Sequence, residues 1–294
     1  MSLFSLLGAI EIGLIYGLVA LGVLISFRLL RFPDLTVDGS FPLGGAVCAI
    51  LISSGANPFA ATLAATAAGA AAGLLTGWLN VRLKIMDLLA SILMMIALYS
   101  VNLRVMGGPN VPLINDPTVF TLLQPAGLED YWWRPALLLV IVVAAKLAMD
   151  WFFATERGLA IRATGSNARM ARAQGVHTGA MVLLGMAVSN ALVGLAGALF
   201  AQTQGGSDIS MGIGTIVIGL AAVIVGESIL PSRRLVWATL AVILGAIAYR
   251  FFIALALNSD FIGLKAQDLN LVTAVLVTVA LVIPQWRRKR STRG

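Results

Sequence analysis

The spacing of its apolar runs constrains this chain more than any other feature. Stretches near 3–27, 40–54, 58–81, 87–106, 134–153, 180–203, 213–230, 235–256 and 268–285 hold few charges, and polar connections separate them. A helix that crosses a bilayer needs about 20 consecutive, mostly apolar residues. The composition agrees: 59% of residues are hydrophobic and 11% are charged, where soluble domains carry roughly 25%. A soluble core built from 294 residues could not hide that much apolar surface. The fold class expected is an all-α polytopic membrane protein with about nine transmembrane helices, forming one transmembrane domain over 1–294. The N-terminus lacks a basic region and a clear cleavage site, so it reads as a retained first span.

Lys and Arg set the orientation. One set of connections holds Arg28 and Arg31, Arg82 and Lys84, Arg157, Arg162, Arg169 and Arg172, Arg233 and Arg234, and the tail from Arg287 to Arg293. The opposite set holds only Arg104, Arg134, Arg250 and Lys265. The first set is therefore expected in the cytoplasm, with the C-terminus inside and the N-terminus outside. The net charge of +7 is spread over the ends of apolar runs, which argues against nucleic acid as a partner and for membrane lipid. With one histidine and one cysteine in the chain, no Cys/His metal cluster can form. No G-x-x-x-x-G-K-[ST] phosphate loop occurs.

The layout suggests an internal repeat. Four spans (about 3–106), a linking span at 134–153, a polar connection at 154–179 and four further spans (about 180–285) precede a basic tail at 286–294. Asp34-Leu35-Thr36-Val37 precedes Gly39 in the first half, and Asp208-Ile209-Ser210-Met211 precedes Gly212 in the second. In this topology the two motifs face opposite sides, the signature of an inverted repeat in a transporter.

Three groups of residues could carry function. In Arg28 to Gly45, Pro33, Gly39, Pro42, Gly44 and Gly45 disfavour an unbroken helix. Asp34 and Asp38 there would be costly in lipid, so with Thr36 and Ser40 they either face a solute path or form an ordinary capped turn. Glu11, Asn102, Asn190 and Glu227 are isolated polar residues in apolar runs. Each could line a path, Glu11 at its outer end; Asn102 and Asn190 could instead bond between helices, and Glu227 could reach the inner interface or pair with Arg233 or Arg234. Gly69-Ala70-Ala71-Ala72-Gly73 marks close helix packing, within the chain rather than between chains. The polar connection from Glu156 to Gly175 reads as two short helices broken near Thr164-Gly165-Ser166, with Ser166 capping the second. Leu159, Ile161, Met170, Ala171 and Ala173 would give it an apolar face. It reads as a docking element for a soluble partner or as a helix lying on anionic lipid.

Gly158-Leu-Ala-Ile-Arg-Ala-Thr-Gly-Ser-Asn167, followed by Ala171, Ala173 and Gly175, resembles the cytoplasmic coupling motif of bacterial ABC importer permeases. More narrowly it resembles the branched-chain amino acid and ribose permease superfamily. Asp34-Leu-Thr-Val-Asp-Gly-Ser is similar to the Asp-containing, Gly-rich segment of those permeases, and Ile216 to Gly226 resembles their late Gly-rich span. The Pro-Asp-Leu-Thr-Val-Asp-Gly version looks closest to a branch associated with tryptophan or tyrosine uptake. The resemblance implies a type II importer fold in the bacterial inner membrane. It implies two permease subunits forming a homodimer, two ATPase subunits that bind ATP and Mg, and a periplasmic solute-binding protein, with no cofactor in this chain and no enzymatic activity of its own. The coupling residues would be Glu156, Arg157, Gly158, Arg162, Ala163, Gly165, Asn167 and Gly175. The solute path would draw on Glu11, Asp34, Thr36, Asp38, Ser40, Asn102, Asn190 and Asp208. An importer driven by an ion gradient would share the broken helices and the repeat, with Glu11, Asp34 or Glu227 binding the ion. A membrane enzyme with Asp34 and Asp38 as an acid pair lacks an accompanying phosphate or metal site.

Overall fold

The computed structural model describes residues 3–125, 129–232, 234–257 and Thr278. Helix α1 (Leu3–Val23) runs on through a π-helical segment, Leu24–Leu29. Then come α2 (Val37–Ser53), α3 (Pro58–Leu83), α4 (Asp87–Met106), strand β1 (Asn110–Pro112), α5 (Val119–Leu122) and the long α6 (Asp130–Ala154). Two short helices, α7 (Glu156–Ser166) and α8 (Ala168–Ala173), lead into α9 (Thr178–Gln204). Strand β2 (Gly206–Asp208), a 3-10 turn (Ile209–Gly212), α10 (Thr215–Ile229) and α11 (Leu235–Leu257) complete the described fold. Seven of these helical segments are long and apolar enough to cross a membrane, and α2 is shorter. Together they account for the first eight apolar runs. Apart from Thr278, the ninth run, 268–285, and the tail 286–294 lie outside the described residues.

Local chemistry sets the helix ends. Asn57 caps α3 by accepting from the Phe59 N–H at 2.9 Å, and Pro58 takes the first helical position, where its missing donor is not needed. Lys84, in the left-handed region at φ 58°, ends the same helix. The first span ends similarly: Leu30 N donates to Ile25 O at 2.9 Å across a π turn, Arg31 adopts φ 57°, and Phe32 N closes back on Ser26 O at 2.8 Å.

Helix α2 packs against α3, α9 and α4, and α3 and α9 also pack directly on each other. Most of its residues are buried, including Gly39, Phe41, Gly44 and Gly45. It stays helical through Pro42, against the break expected from the Pro/Gly content; the break falls instead at 30–36. Pro42 cannot donate to the Asp38 carbonyl, and Gly212 approaches that carbonyl so closely that a Cβ there would lie 2.1 Å from it. Close backbone approach holds the central helices together. A Cβ on Gly197 would lie 1.9 Å from Phe41 O, and one on Gly44 would lie 2.1 Å from Gly194 O. Gly69 and Gly73 of the small-residue pattern meet α9 of the same chain, at Asn190 O and Met186 O.

The described part of the connection after α4, residues 107–125, holds local structure. Its β1 pairs antiparallel with β2, Asn110 opposite Asp208, and Thr118 caps α5 through a reciprocal bond with Thr121. Gln202 ties this cover to the core by accepting from Val119 N at 2.9 Å and donating to the Thr62 hydroxyl at 2.9 Å. Helix α9 starts beside α8 and ends at the ribbon; its 27 residues span about 40 Å at 1.5 Å per residue. The α7–α8 pair and the ribbon therefore cap opposite ends of the bundle.

Candidate functional site

Helix α7 starts where the Thr155 hydroxyl accepts from Gly158 N at 3.4 Å. Its buried face consists of Gly158, Ile161 and Thr164. A Cβ on Gly158 would meet Phe153 Cα at 2.3 Å and Phe152 O at 2.4 Å, so this glycine seats the helix against the end of α6. A Cβ on Gly165 would lie 1.8 Å from Leu29 O, so that glycine seats α7 against the π-helical end of the first span. Glu156, Arg157, Leu159, Arg162, Ala163 and Asn167 are exposed.

Two details differ from the sequence reading. Ser166 is the last residue of α7, and the cap of α8 is Asn167, whose Oδ1 accepts from Met170 N at 3.0 Å. The hydrophobic face expected there is mostly turned outward: Ile161 and Ala171 are buried, whereas Leu159, Met170 and Ala173 are exposed. The inward face of α7 brings backbones together at Gly158 and Gly165 and buries Ile161, which leaves Leu159 on the surface. Gly175 turns the chain into α9 at φ 83° with open space around it.

The second group centres on the 30–36 break and the start of α2. Asp34 and Asp38 both lie here, with different surroundings. Asp34 is 1% exposed. Its Oδ1 accepts from Thr36 N at 3.0 Å, and its Oδ2 accepts from Asn190 Nδ2 at 2.7 Å. The Ser40 hydroxyl donates to Asn190 Oδ1 at 2.7 Å, and the Thr36 and Thr76 hydroxyls lie 2.8 Å apart. Asp34, Thr36, Ser40 and Asn190 thus form one closed polar core joining α2, α3 and α9, with Thr76 as a member that sequence reasoning missed.

Asp38, in the first turn of α2, points to another helix. Its Oδ1 accepts from Ile216 N at 2.7 Å and its Oδ2 from Gly214 N at 3.3 Å, so it caps α10. The same residue lines a cavity of about 430 Å³ bounded by α2, α4 and the 3-10 turn. Asn102 lines it too: its Nδ2 donates to Gly39 O at 3.2 Å, while its buried Oδ1 has no partner among the described residues.

The two Asp motifs of the suspected repeat share local geometry. Asp208 Oδ1 accepts from Ser210 N at 2.7 Å, matching Asp34 Oδ1 and Thr36 N. The motifs meet where Gly212, four places after Asp208, abuts the carbonyl of Asp38, four places after Asp34. Asp208 itself lies at the ribbon end and caps the 3-10 turn. Glu11 is half-buried in α1, with Arg134 as its electrostatic neighbour. Glu227 pairs with Arg28 of the π-helical segment. The ion pair of Lys146 and Asp150 in α6, with the Thr239 hydroxyl donating to Asp150 Oδ1 at 2.9 Å, escaped the sequence reading. Its i,i+4 spacing was a visible signal.

The chain as a whole is similar to known proteins. The family described as branched-chain amino acid transport system / permease component matches residues 5–283. A tyrosine transport system permease protein of Clostridioides difficile (strain R20291) is 36% identical over 269 residues, covering 91% of this chain and 87% of that protein. An uncharacterized protein of Rickettsia prowazekii (strain Madrid E) is 32% identical over 283 residues, covering 94% of this chain and 96% of its own length. No solved structure matches.

Proposed function

The chain belongs to the permease components of branched-chain amino acid transport systems, and from that premise we propose that it is the membrane subunit of an ATP-driven importer for an amino acid of the tyrosine class. The α7–α8 pair carries this reading. It presents Arg157, Leu159, Arg162 and Met170 outward, while Gly158 and Gly165 seat it on the backbone of α6 and of the first span. A rigid helix set against two spans transmits a displacement of its outer face into the bundle. A soluble ATPase, which binds ATP and Mg, docks on that face; a second permease subunit completes the path, and a periplasmic binding protein delivers the solute at the ribbon end. The Lys and Arg asymmetry supports a cytoplasmic α7–α8 pair and an outside N-terminus, and in this reading the membrane is the bacterial inner membrane.

In this reading Arg157 and Arg162 contact the ATPase, with Glu156 and Ala163 beside them. Gly158, Gly165, Asn167 and Gly175 shape the element. On the solute side, Asp38 and Asn102 line the path. Asp34, Thr36, Ser40 and Asn190 hold the helices that form it, and Glu11 and Asp208 lie toward its outer end. The chain reconstituted with its ATPase and binding protein should take up L-tyrosine in an ATP-dependent manner. Arg162→Glu reverses an exposed charge on the docking face; it should insert and fold as before and lose ATP-driven uptake. Normal coupling in that variant would refute the docking assignment. Uptake by the chain alone under a proton or sodium gradient would point to a secondary transporter.

A further inference from the structure

The geometry points to the α2–α4 cavity as a contact site for the ammonium group of an amino acid whose side chain is large and apolar. This inference rests on the transport reading and adds to it the place and the chemistry of solute contact. Three observations carry it. First, Asn102 lines the cavity, and its buried Oδ1 has no partner among the described residues. A buried acceptor left unpaired is unfavourable, and a donor in the cavity removes that penalty once the Asn102 amide turns to meet it. Second, Asp38 spends one acceptor position of each oxygen on the α10 backbone, at Ile216 N and Gly214 N. A carboxylate has about four such positions, so it keeps capacity for a further donor on the cavity side. Third, the remaining polar side chains on the wall are the exposed Ser100 and Tyr99, each with a hydroxyl that can accept. An ammonium group has three donors and no acceptor, and this wall supplies acceptors from Asp38, Asn102 and Ser100.

The rest of the wall is apolar or aromatic: Pro42, Met95, Ile96, Tyr99, Ile209 and Ile213. A cavity of about 430 Å³ falls in the lower part of the roughly 300–1,000 Å³ range of small-molecule sites. A charged end held at Asp38 and Asn102 and a ring lying against Ile96, Tyr99 and Ile213 satisfy both parts of the wall. The closed Asp34 core cannot serve in this way, because its carboxylate is already bonded and buried.

The single cysteine, Cys48, is buried, so one engineered thiol can report on the cavity. In proteoliposomes of the full chain, Ser100→Cys should react with a charged methanethiosulfonate reagent while the parent chain does not. Millimolar L-phenylalanine should slow that reaction, roughly tenfold if it occupies the site about 90% of the time. 3-Phenylpropionate, which has the ring without the ammonium group, should leave the rate unchanged. Adding Asn102→Leu should abolish the protection. Ile213→Trp, a change at a residue 74% exposed, fills the cavity without disturbing the core and should also abolish it. A thiol that the charged reagent cannot reach would overturn the proposal, as would equal protection by 3-phenylpropionate or undiminished protection in both variants. ATP-dependent uptake by the parent chain with its partners reads the transport function separately, so failure of the cavity and failure of the importer reading give different results.

Discussion

Asp34 and Asp38 are four residues apart and bear the same side chain, yet the fold uses them in different ways. Asp34 is buried and bonded to Thr36 and Asn190, and through Asn190 to Ser40. Asp38 bridges from α2 to the first turn of α10 and borders an open cavity. The comparison separates holding from contacting. A bonded charge sealed inside a low-dielectric core fixes helix positions, whereas one that borders a cavity can also meet a solute.

The largest effect should come from breaking the closed core. Asn190→Ala removes the donor to Asp34 and the acceptor for Ser40 in one step. A hydrogen bond to a charged group contributes roughly 1.5–3 kcal/mol, and the carboxylate left behind is buried. Thermal unfolding in detergent should show a loss of about 3 kcal/mol. A near-neutral Asn190→Ala would break the comparison, because Asp34 would then not be holding anything.

Gly165→Ala should come next, and it acts on transport more than on folding. Its Cβ would sit 1.8 Å from Leu29 O, a backbone atom that a rotamer change cannot move. Helix α7 must shift away from the segment that leads into Asp34. ATP-driven uptake should fall roughly tenfold, equivalent to about 1.4 kcal/mol of coupling, with ATPase binding retained in a pull-down. Unchanged uptake would show that the α7 contact with the first span carries no motion.

Asp38→Asn should separate the two aspartates most cleanly. The amide oxygen can still accept from α10, so the cap is weakened by no more than about 1 kcal/mol. The charge facing the cavity is lost. Uptake should fall while the unfolding midpoint stays within a few degrees of the parent, at about 2–4 °C per kcal/mol for a chain of this size or larger. If Asp38→Asn unfolds as readily as Asn190→Ala, Asp38 is structural too and the distinction fails.

Much of this arrangement could be read from the sequence, and the exceptions have physical causes. Apolar runs of spanning length marked the helices because lipid requires internally bonded backbone. The chain break near Pro33 was legible from composition, but not its extent, since helix α2 passes through Pro42, where Gly212 packs against the Asp38 carbonyl. That contact joins residues 174 positions apart in the two halves, as does the ribbon pairing of Asn110 with Asp208 on a smaller scale. Asn190 and Asn102 looked alike as lone amides in apolar runs, and only their neighbours distinguish a satisfied amide from an unsatisfied one. The fates of Asp34 and Asp38 likewise depend on α9 and α10, which no local pattern reveals.

The smallest effect tests whether the turn before Asp34, rather than the polar core, sets its position. Arg31 is exposed and holds φ 57°, a conformation that L residues adopt with strain. Glycine adopts it freely but loses more entropy on folding. Arg31→Gly should therefore stabilise by less than about 1 kcal/mol and leave uptake unchanged, because Asn190, Thr36 and Ser40 still hold the segment. A marked loss of uptake would mean that the strained turn itself aligns Asp34 and Asp38, and the polar core would then follow the turn rather than determine it.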